Sequence, residues 1–209
     1  MTVKAKRSII VLIILHVVGI LGMLSPLKHW FVALTPVNLL ITAGLVLWNH
    51  REFRLSTAWM LLLAYFVGLG IEIIGVATGV IFGEYKYGIV LGPKLAGAPM
   101  VIGVNWVILL FVSGELARWM FRWVGWRMIA GAFSMVLLDI LIEPVAISLE
   151  WWAWTRGVPP LMNYVGWFLV SLSLHAVYAW TLRDQRNDIG SAVFAILFGF
   201  FVLLNIALV

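Results

Sequence analysis

Three carboxylic acids lie inside long apolar segments of this chain, and a fourth ends one of those segments. Glu72 stands in an apolar run, Asp139 and Glu143 stand four residues apart in a later run, and Glu150 follows that later run. An ionisable group at bilayer depth is costly, and it usually faces a protein interior and takes part in function. Buried carboxyl groups of this kind are candidates to donate or accept a proton.

The composition indicates a membrane protein. The 209 residues are 64% hydrophobic and only 11% charged, and the mean hydropathy is +1.07, which is typical of membrane chains rather than soluble domains. We predict an all-α polytopic membrane helix bundle that forms one domain over residues 1–209. The net charge of +5 does not indicate nucleic-acid binding, because the basic residues are scattered between apolar segments. The absence of cysteine excludes disulfides and thiolate chemistry.

Seven apolar segments are long enough to cross a bilayer, which takes roughly 20 residues of helix. The predicted spans cover residues 8–25, 30–48, 57–82, 99–117, 128–148, 163–182 and 189–208. The first span follows a basic N-terminus, as a signal peptide does. It is long and lacks a clear small-residue cleavage site, so we predict an uncleaved first helix.

Basic residues are distributed unequally between the two sides that seven spans define. The side of the N-terminus holds ten, namely Lys4, Lys6, Arg7, Arg51, Arg54, Arg118, Arg122, Arg127, Arg183 and Arg186. The opposite side holds four, namely Lys28, Lys86, Lys94 and Arg156. Because positive loops favour the cytoplasm, we predict a cytoplasmic N-terminus and a C-terminus outside.

Polar residues from five predicted spans fall at a similar depth in the outer half of the bundle. At about 1.5 Å per residue they lie roughly 8 to 14 Å from the outer ends of their spans. They are Glu72, Asp139, Glu143, Asn105, Asn38 and His16. Small residues, which mark helix contacts in membranes, share the faces of the acids. The acids are therefore predicted to face a common interior, and Pro144 is predicted to kink the fifth span beside them.

Aromatic residues crowd the outer segments that follow the third and fifth spans. Tyr85 and Tyr87 follow the third, and Trp151 and Trp154 follow the fifth. Such residues serve either as an interfacial belt or as the walls of a pocket, and the sequence leaves both interpretations open. For the acids, the structural alternative is hydrogen bonding between helices. Three carboxyl groups need many donors, however, and no Lys or Arg lies within the predicted spans.

The sequence lacks the motifs of several functional classes. No lysine lies in the last span to bind retinal, and no HxxxH cluster supports a di-iron hydroxylase. Asp139 and Glu143 lack the second acidic motif and the basic cradle of a diphosphate–Mg²⁺ site. No Walker or dinucleotide-binding glycine motif occurs. We therefore predict no metal site and no cofactor.

Two blocks of sequence resemble a known family. The first is Glu72-x-x-Gly75-Val76-x-Thr78-Gly79-x-x-Phe82-Gly83-x-Tyr85-x-Tyr87, followed by Leu91-Gly92, Gly97-x-Pro99 and Trp106. The second is Asp139-x-x-x-Glu143-Pro144-Val145-Ala146, followed by Trp151-Trp152-x-Trp154. Together the blocks resemble the carotenoid 1′,2′-hydratase family of integral membrane proteins.

The resemblance implies an enzyme of the plasma membrane that adds water across the terminal double bond of a linear ψ-end carotenoid, giving a tertiary alcohol. The substrate would reach it from the bilayer, and no metal, nucleotide or flavin would be needed. We assign Asp139 as the acid, Glu72 or Glu143 as its partner and Asn105 as the residue that positions water, with the acid and base roles exchangeable. The predicted substrate-binding residues are Trp106, Tyr85, Tyr87, Glu150, Trp151 and Trp154.

Other functions remain open from the sequence. A membrane enzyme similar to lycopene cyclases would use the same protonation but trap the cation with another double bond. A proton-coupled transporter or a non-enzymatic carotenoid-binding protein would use the acids or the apolar interior differently. The acids are confined to the outer half of the predicted bundle, which disfavours a transporter because transport needs a route to both faces.

Overall fold

A computed structural model describes all 209 residues as eight helices and four short strands. The helices are α1 (Val3–Met23), α2 (Lys28–Ala33), α3 (Thr35–Trp48), α4 (Leu55–Thr78), α5 (Val101–Met120), α6 (Val124–Ser148), α7 (Leu161–Thr181) and α8 (Gly190–Leu208). The strands are β1 (Tyr85–Tyr87), β2 (Lys94–Leu95), β3 (Ala98–Pro99) and β4 (Trp152–Trp154). Six helices, all except α2 and α3, are long and apolar enough to cross a membrane. The predicted all-α membrane bundle is confirmed, with six helices, not seven, that are each long and apolar enough to cross a membrane.

The second predicted span, residues 30–48, is not one helix. It is divided into α2, of 6 residues, and α3, of 14 residues. Pro36 stands in the first turn of α3, where a missing N–H breaks no helical hydrogen bond and the fixed φ suits a new helix start. With about 1.5 Å per residue, α3 alone is shorter than the roughly 30 Å hydrocarbon core. The prediction of a continuous helix here is corrected accordingly.

The fourth helix ends earlier than its predicted span, which reached residue 82. Gly79 follows Thr78 with a φ of 65°, and its N–H donates to the backbone oxygen of Gly75 at 2.8 Å. Glycine adopts this left-handed conformation without steric cost and so ends helices. Gly79 and Gly83 therefore do not continue a helix face beyond Thr78. They turn the chain toward β1 instead.

Hydrogen bonds between distant segments close one end of the bundle. Asn49, which follows α3, donates to the Ser8 hydroxyl of α1 at 2.8 Å. The guanidinium of Arg118 donates to the backbone oxygen of Leu182 at 2.9 Å, which fixes the linker between α7 and α8. Arg118 lies inside α5 and is buried, whereas the predicted span 99–117 left it outside. This end coincides with the strongly basic side of the sequence.

Two small antiparallel ribbons cover the opposite end. In the larger ribbon β1 pairs with β4, so that Tyr85 lies opposite Trp154 and Tyr87 lies opposite Trp152. Side chains alternate between the two faces of a strand, and Tyr85, Tyr87 and Trp154 are buried while Lys86 is exposed. The sequence treated these segments as loops and left a belt role open. Their burial assigns these three aromatic side chains to the protein interior.

The central helix α5 is the most buried of the six long helices. It packs closely against α4 because residue 68 is glycine. A Cβ atom at Gly68 would lie only 2.3 Å from the ring of Trp106. The missing side chain therefore makes room for the indole of Trp106. Gly68 lies one turn before Glu72 on α4.

Candidate active site

Glu72 is buried, and both of its carboxyl oxygens receive hydrogen bonds. The hydroxyls of Tyr85 and Tyr87 donate to Oε2 at 2.5 and 2.8 Å. The indole Nε1 of Trp106 donates to Oε1 at 3.2 Å. Three aromatic donors from β1 and α5 thus hold this carboxyl group in one orientation.

Asp139 and Glu143 lie one turn apart on the same face of α6, as their spacing predicts. The amide of Asn163, in the first turn of α7, donates to Asp139 at 2.9 Å and to Glu143 at 3.3 Å. Trp152 and Trp154 donate to Oε2 of Glu143 at 3.0 and 2.8 Å. Glu143 therefore receives three donors, whereas Asp139 receives only the donor from Asn163.

The β1–β4 ribbon connects the two halves of the acid cluster. The tyrosines of β1 donate to Glu72, and the tryptophans opposite them on β4 donate to Glu143. All four side chains project from the ribbon toward the acids because they stand at alternate positions of paired strands. The ribbon is thus an aromatic cover that carries hydrogen-bond donors for acids on two different helices.

The two tyrosines act as donors and not as bases. Burial, reinforced by the nearby Glu72 carboxyl group, raises the pKa of Tyr85 and of Tyr87 above its ordinary value. The ordinary value is already about 10, so both phenols keep their protons at neutral pH.

Two cavities meet at this site. The smaller has a volume of about 20 Å³ and is lined by all three acids, both tyrosines and Asn163. A space of roughly 10–15 Å³ admits one water molecule when polar groups surround it. The smaller cavity can therefore hold a water molecule but not the end of an isoprenoid chain.

The larger cavity, of about 240 Å³, is mostly apolar and lies between α1, α3, α5, α6 and α8. Three residues, Ile102, Asn105 and Trp152, line both cavities and so form the boundary between them. Val18 of α1 and Val37 of α3 line the larger cavity and are also about half exposed. The larger cavity therefore opens sideways between α1 and α3, toward the bilayer around the bundle.

The structure brings together most of the residues singled out from the sequence. The acid cluster contains Glu72, Asp139, Glu143, Tyr85, Tyr87, Trp106 and Trp154, and Asn105 stands at the boundary between the cavities.

Two of the predicted substrate-binding residues lie elsewhere. Glu150, predicted to bind substrate, is exposed in the turn after α6, with a φ of 57°, and lines neither cavity. Trp151 is one position out of phase with Trp152 and Trp154, and it faces the larger cavity instead.

Three residues of the site were missed as site residues by the sequence analysis. Asn163 was placed at the very start of a predicted span, where a polar residue is ordinary. Trp152 shares a strand face with Trp154, and a period of two would have assigned it. Trp167 lies one turn after Asn163 and stacks on Trp106, with ring centroids 4.2 Å apart and planes inclined by 10°. The four-residue spacing of Asn163 and Trp167 was the available signal.

The bundle and the site together define a polytopic membrane protein with a buried cluster of acids beside an apolar cavity. No group of three or more His, Cys, Asp or Glu side chains is arranged to hold a metal ion. Residues 31–209 match the family described as "Carotenoid biosynthesis protein", and the chain belongs to that family. The resemblance carried by the two sequence blocks is thereby confirmed at the level of the family.

A named relative gives a narrower comparison. Over 147 residues the chain is 29% identical to a protein of Haloarcula japonica named bisanhydrobacterioruberin hydratase. The matched region covers 64% of this chain and 47% of that protein, so the chain spans about half the length of this relative. No solved structure matches the chain.

Proposed function

We propose that this protein is a membrane carotenoid hydratase that adds water across the terminal 1′,2′ double bond of a linear ψ-end carotenoid. The observation that carries the proposal is the position of Asp139, a buried carboxyl group with one hydrogen-bond donor, in an aromatic-walled cluster beside a large apolar cavity. The family and the hydratase name of the relative support the same reaction class.

The carotenoid end lies in the larger cavity. A cavity of about 150 Å³ suffices to bind benzene, so about 240 Å³ accommodates a terminal isoprene unit. The long polyene leaves through the opening between α1 and α3, where the surrounding lipid is as apolar as the substrate. The reacting double bond then faces the boundary formed by Ile102, Asn105 and Trp152, with the acids on its far side.

Proton transfer from Asp139 begins the reaction. The π electrons of the double bond form a C–H bond at C2′ with the acid proton, which leaves a tertiary cation at C1′ and a carboxylate at Asp139. The ring face of Trp152, which lines both cavities, stabilises the positive charge, by about 2 kcal/mol or more for a desolvated cation–π contact.

Water then completes the addition. Asn105, at the boundary of the two cavities, orients a water molecule whose oxygen forms the C–O bond at C1′. The excess proton of the resulting oxonium passes to Glu143 and from there to the Asp139 carboxylate, which Asn163 holds beside Glu143 on the same face of α6. Glu72, with both oxygens occupied, positions the tyrosine hydroxyls and Trp106. The net reaction consumes the double bond and one water.

The acid role of Asp139 is tested by the Asp139→Asn variant in a host that makes linear carotenoids. We expect wild-type protein to yield a pigment heavier by one water, and the variant to accumulate in the membrane without this product. The matched control is Glu150→Gln, which alters the exposed acid of the same segment and should leave the yield unchanged. Wild-type yield of alcohol from Asp139→Asn would refute the acid role.

The same mass analysis separates the alternatives. Cyclisation would change the pigment without changing its mass, and a passive binding protein would co-purify with unaltered pigment. Either result with the wild-type protein would contradict the proposed hydration.

We further propose that the chain is one domain that crosses the plasma membrane seven times, with α2 and α3 together making the second crossing. The basic end, closed by Asn49 and Arg118, then lies in the cytoplasm and the ribbon end lies outside. This topology predicts that a reporter fused after Val209 is found outside the cell. A cytoplasmic reporter at that position would contradict the seven crossings.

A further inference from the structure

The larger cavity contains polar groups that the apolar substrate does not explain. Six buried side-chain atoms in the chain have no hydrogen-bond partner, and three of them belong to residues that line this cavity. These three are Oγ1 of Thr35, Oδ1 of Asn38 and Nε1 of Trp151. Because buried polar atoms are nearly always paired and an unpaired one is destabilising, these atoms indicate a polar ligand inside the cavity.

A fourth polar group lines the same cavity. Nδ1 of His16 donates to the backbone oxygen of Leu12 at 2.8 Å, so in the neutral ring the proton is on Nδ1 and Nε2 is an acceptor. Thr35 and Asn38 stand three residues apart and therefore share one face of α3. The set offers one indole donor, two acceptors and one hydroxyl that can do either, which are complementary to a water molecule.

We propose that His16, Thr35, Asn38 and Trp151 form a site for the water that is added to the carotenoid. This inference rests on the proposed hydratase function. A cavity with only apolar walls stays dry, whereas a polar site with two to four partners holds ordered water. Asn105 lines the same cavity and borders the acids, so it receives water from this site at the place where the cation forms.

The proposed site separates the two reactants. The proton comes from Asp139 across the boundary, and the water comes from the side of α1 and α3. Without water held in place, the tertiary cation can return a proton to a carboxylate, which re-forms a double bond. In D₂O the proton delivered is a deuteron, and the proton lost can come from C2′ or an adjacent methyl group. The recovered carotenoid then carries deuterium.

The test compares Asn38→Leu and Thr35→Val with wild-type protein, using membranes that contain the full chain and a linear carotenoid in D₂O buffer. We expect each variant to lower the yield of alcohol about tenfold or more while deuterium still enters the recovered carotenoid. The matched control is Asn205→Leu, since Asn205 of α8 is similarly half-buried, does not line this cavity and donates to the backbone oxygens of Leu141 and Phe201. The Asn205→Leu variant should lower neither the yield of alcohol nor the incorporation of deuterium.

Two results would overturn the inference. Unchanged alcohol yield in both variants would show that these groups do not supply the water. A parallel fall of alcohol and deuterium incorporation would show that they hold the substrate, for example through a hydroxyl group on it. A wild-type protein that forms no alcohol would instead refute the proposed function itself.

Discussion

At the scale of single residues, the three acids differ by the hydrogen bonds that they receive. Glu72 and Glu143 each receive three donors, and Asp139 receives one. A donor that already occupies an oxygen competes with a reacting group for that oxygen. In the proposed reaction Asp139 is therefore the acid that exchanges a proton with the substrate. Glu72 and Glu143 hold the aromatic walls, and Glu143 accepts the returning proton.

The Tyr85→Phe, Tyr87→Phe double variant tests the supporting role of Glu72. It removes both phenol donors to that carboxyl group, and a typical hydrogen bond contributes about 0.5–1.5 kcal/mol. We expect the hydration rate to fall about tenfold or more. Because the pKa of each phenol is raised above about 10, neither phenol titrates below that pH in the wild type. The loss should therefore be the same at pH 6 and pH 9 in activity assays.

The control for this variant is Tyr164→Phe, since Tyr164 carries the same hydroxyl group but donates no hydrogen bond to Glu72. A double variant whose activity differs from wild type only at alkaline pH would contradict the assignment of the tyrosines as permanent donors.

At the scale of elements, the site is assembled by a ribbon and by one close helix contact. The ribbon of β1 and β4 places donors over acids of α4 and α6, and Gly68 lets α4 approach Trp106 of α5. Neither the ribbon nor Gly68 supplies an acid, yet each fixes the orientation of side chains that contact the acids. Changes in these elements should therefore alter catalysis through the positions of side chains.

The Gly68→Ala variant tests the close contact. Its Cβ atom would lie 2.3 Å from the Trp106 ring, so the indole must shift and weaken its hydrogen bond to Glu72. Overpacking of this kind costs about 1–3 kcal/mol, and we expect lower thermal stability together with lower activity.

The matched control is Gly70→Ala in the same helix, where a Cβ atom would have no neighbour within 4 Å. Thermal unfolding in detergent and pigment analysis measure the two effects. Equal behaviour of the two variants would contradict the packing argument.

At the scale of the whole molecule, the larger cavity joins the acid cluster to the membrane. Its opening lies between α1 and α3, and its inner end reaches Ile102, Asn105 and Trp152. A substrate too long for the protein interior can thus keep most of its length in lipid while one end reaches the acids. This arrangement suits an enzyme that modifies chain ends.

The Val37→Trp variant tests this route. A larger side chain at the opening between α1 and α3 should slow entrance of the carotenoid, and we expect lower product yield with normal protein levels. The loss should shrink when the carotenoid concentration is raised, because access and not chemistry is impaired. The control is Val177→Trp, a similarly exposed valine on α7 that does not line the cavity. A loss that persists at high carotenoid concentration would contradict the proposed entrance.

Much of the helical architecture and part of the site could be predicted from the sequence. Long apolar runs determine membrane helices by themselves, because length and hydropathy are local properties. The four-residue spacing of Asp139 and Glu143 determined their shared face for the same reason. The end of α4 at Gly79 was also encoded locally, but the apolar run that continues to residue 82 led to a longer predicted span.

The tertiary structure alone decided which groups meet. The ribbon pairs Tyr87 with Trp152, although two helices, α5 and α6, lie between them in the chain. Asn163 joins two acids of another helix, and Trp151 lines only the larger cavity whereas its neighbour Trp152 lines both. Hydrogen bonds and cavities of this kind depend on contacts between segments far apart in the chain, whereas hydropathy and spacing report only on neighbours along it. The sequence therefore determined a membrane bundle with acids at one depth, and folding determined the donors, the cover and the two cavities around them.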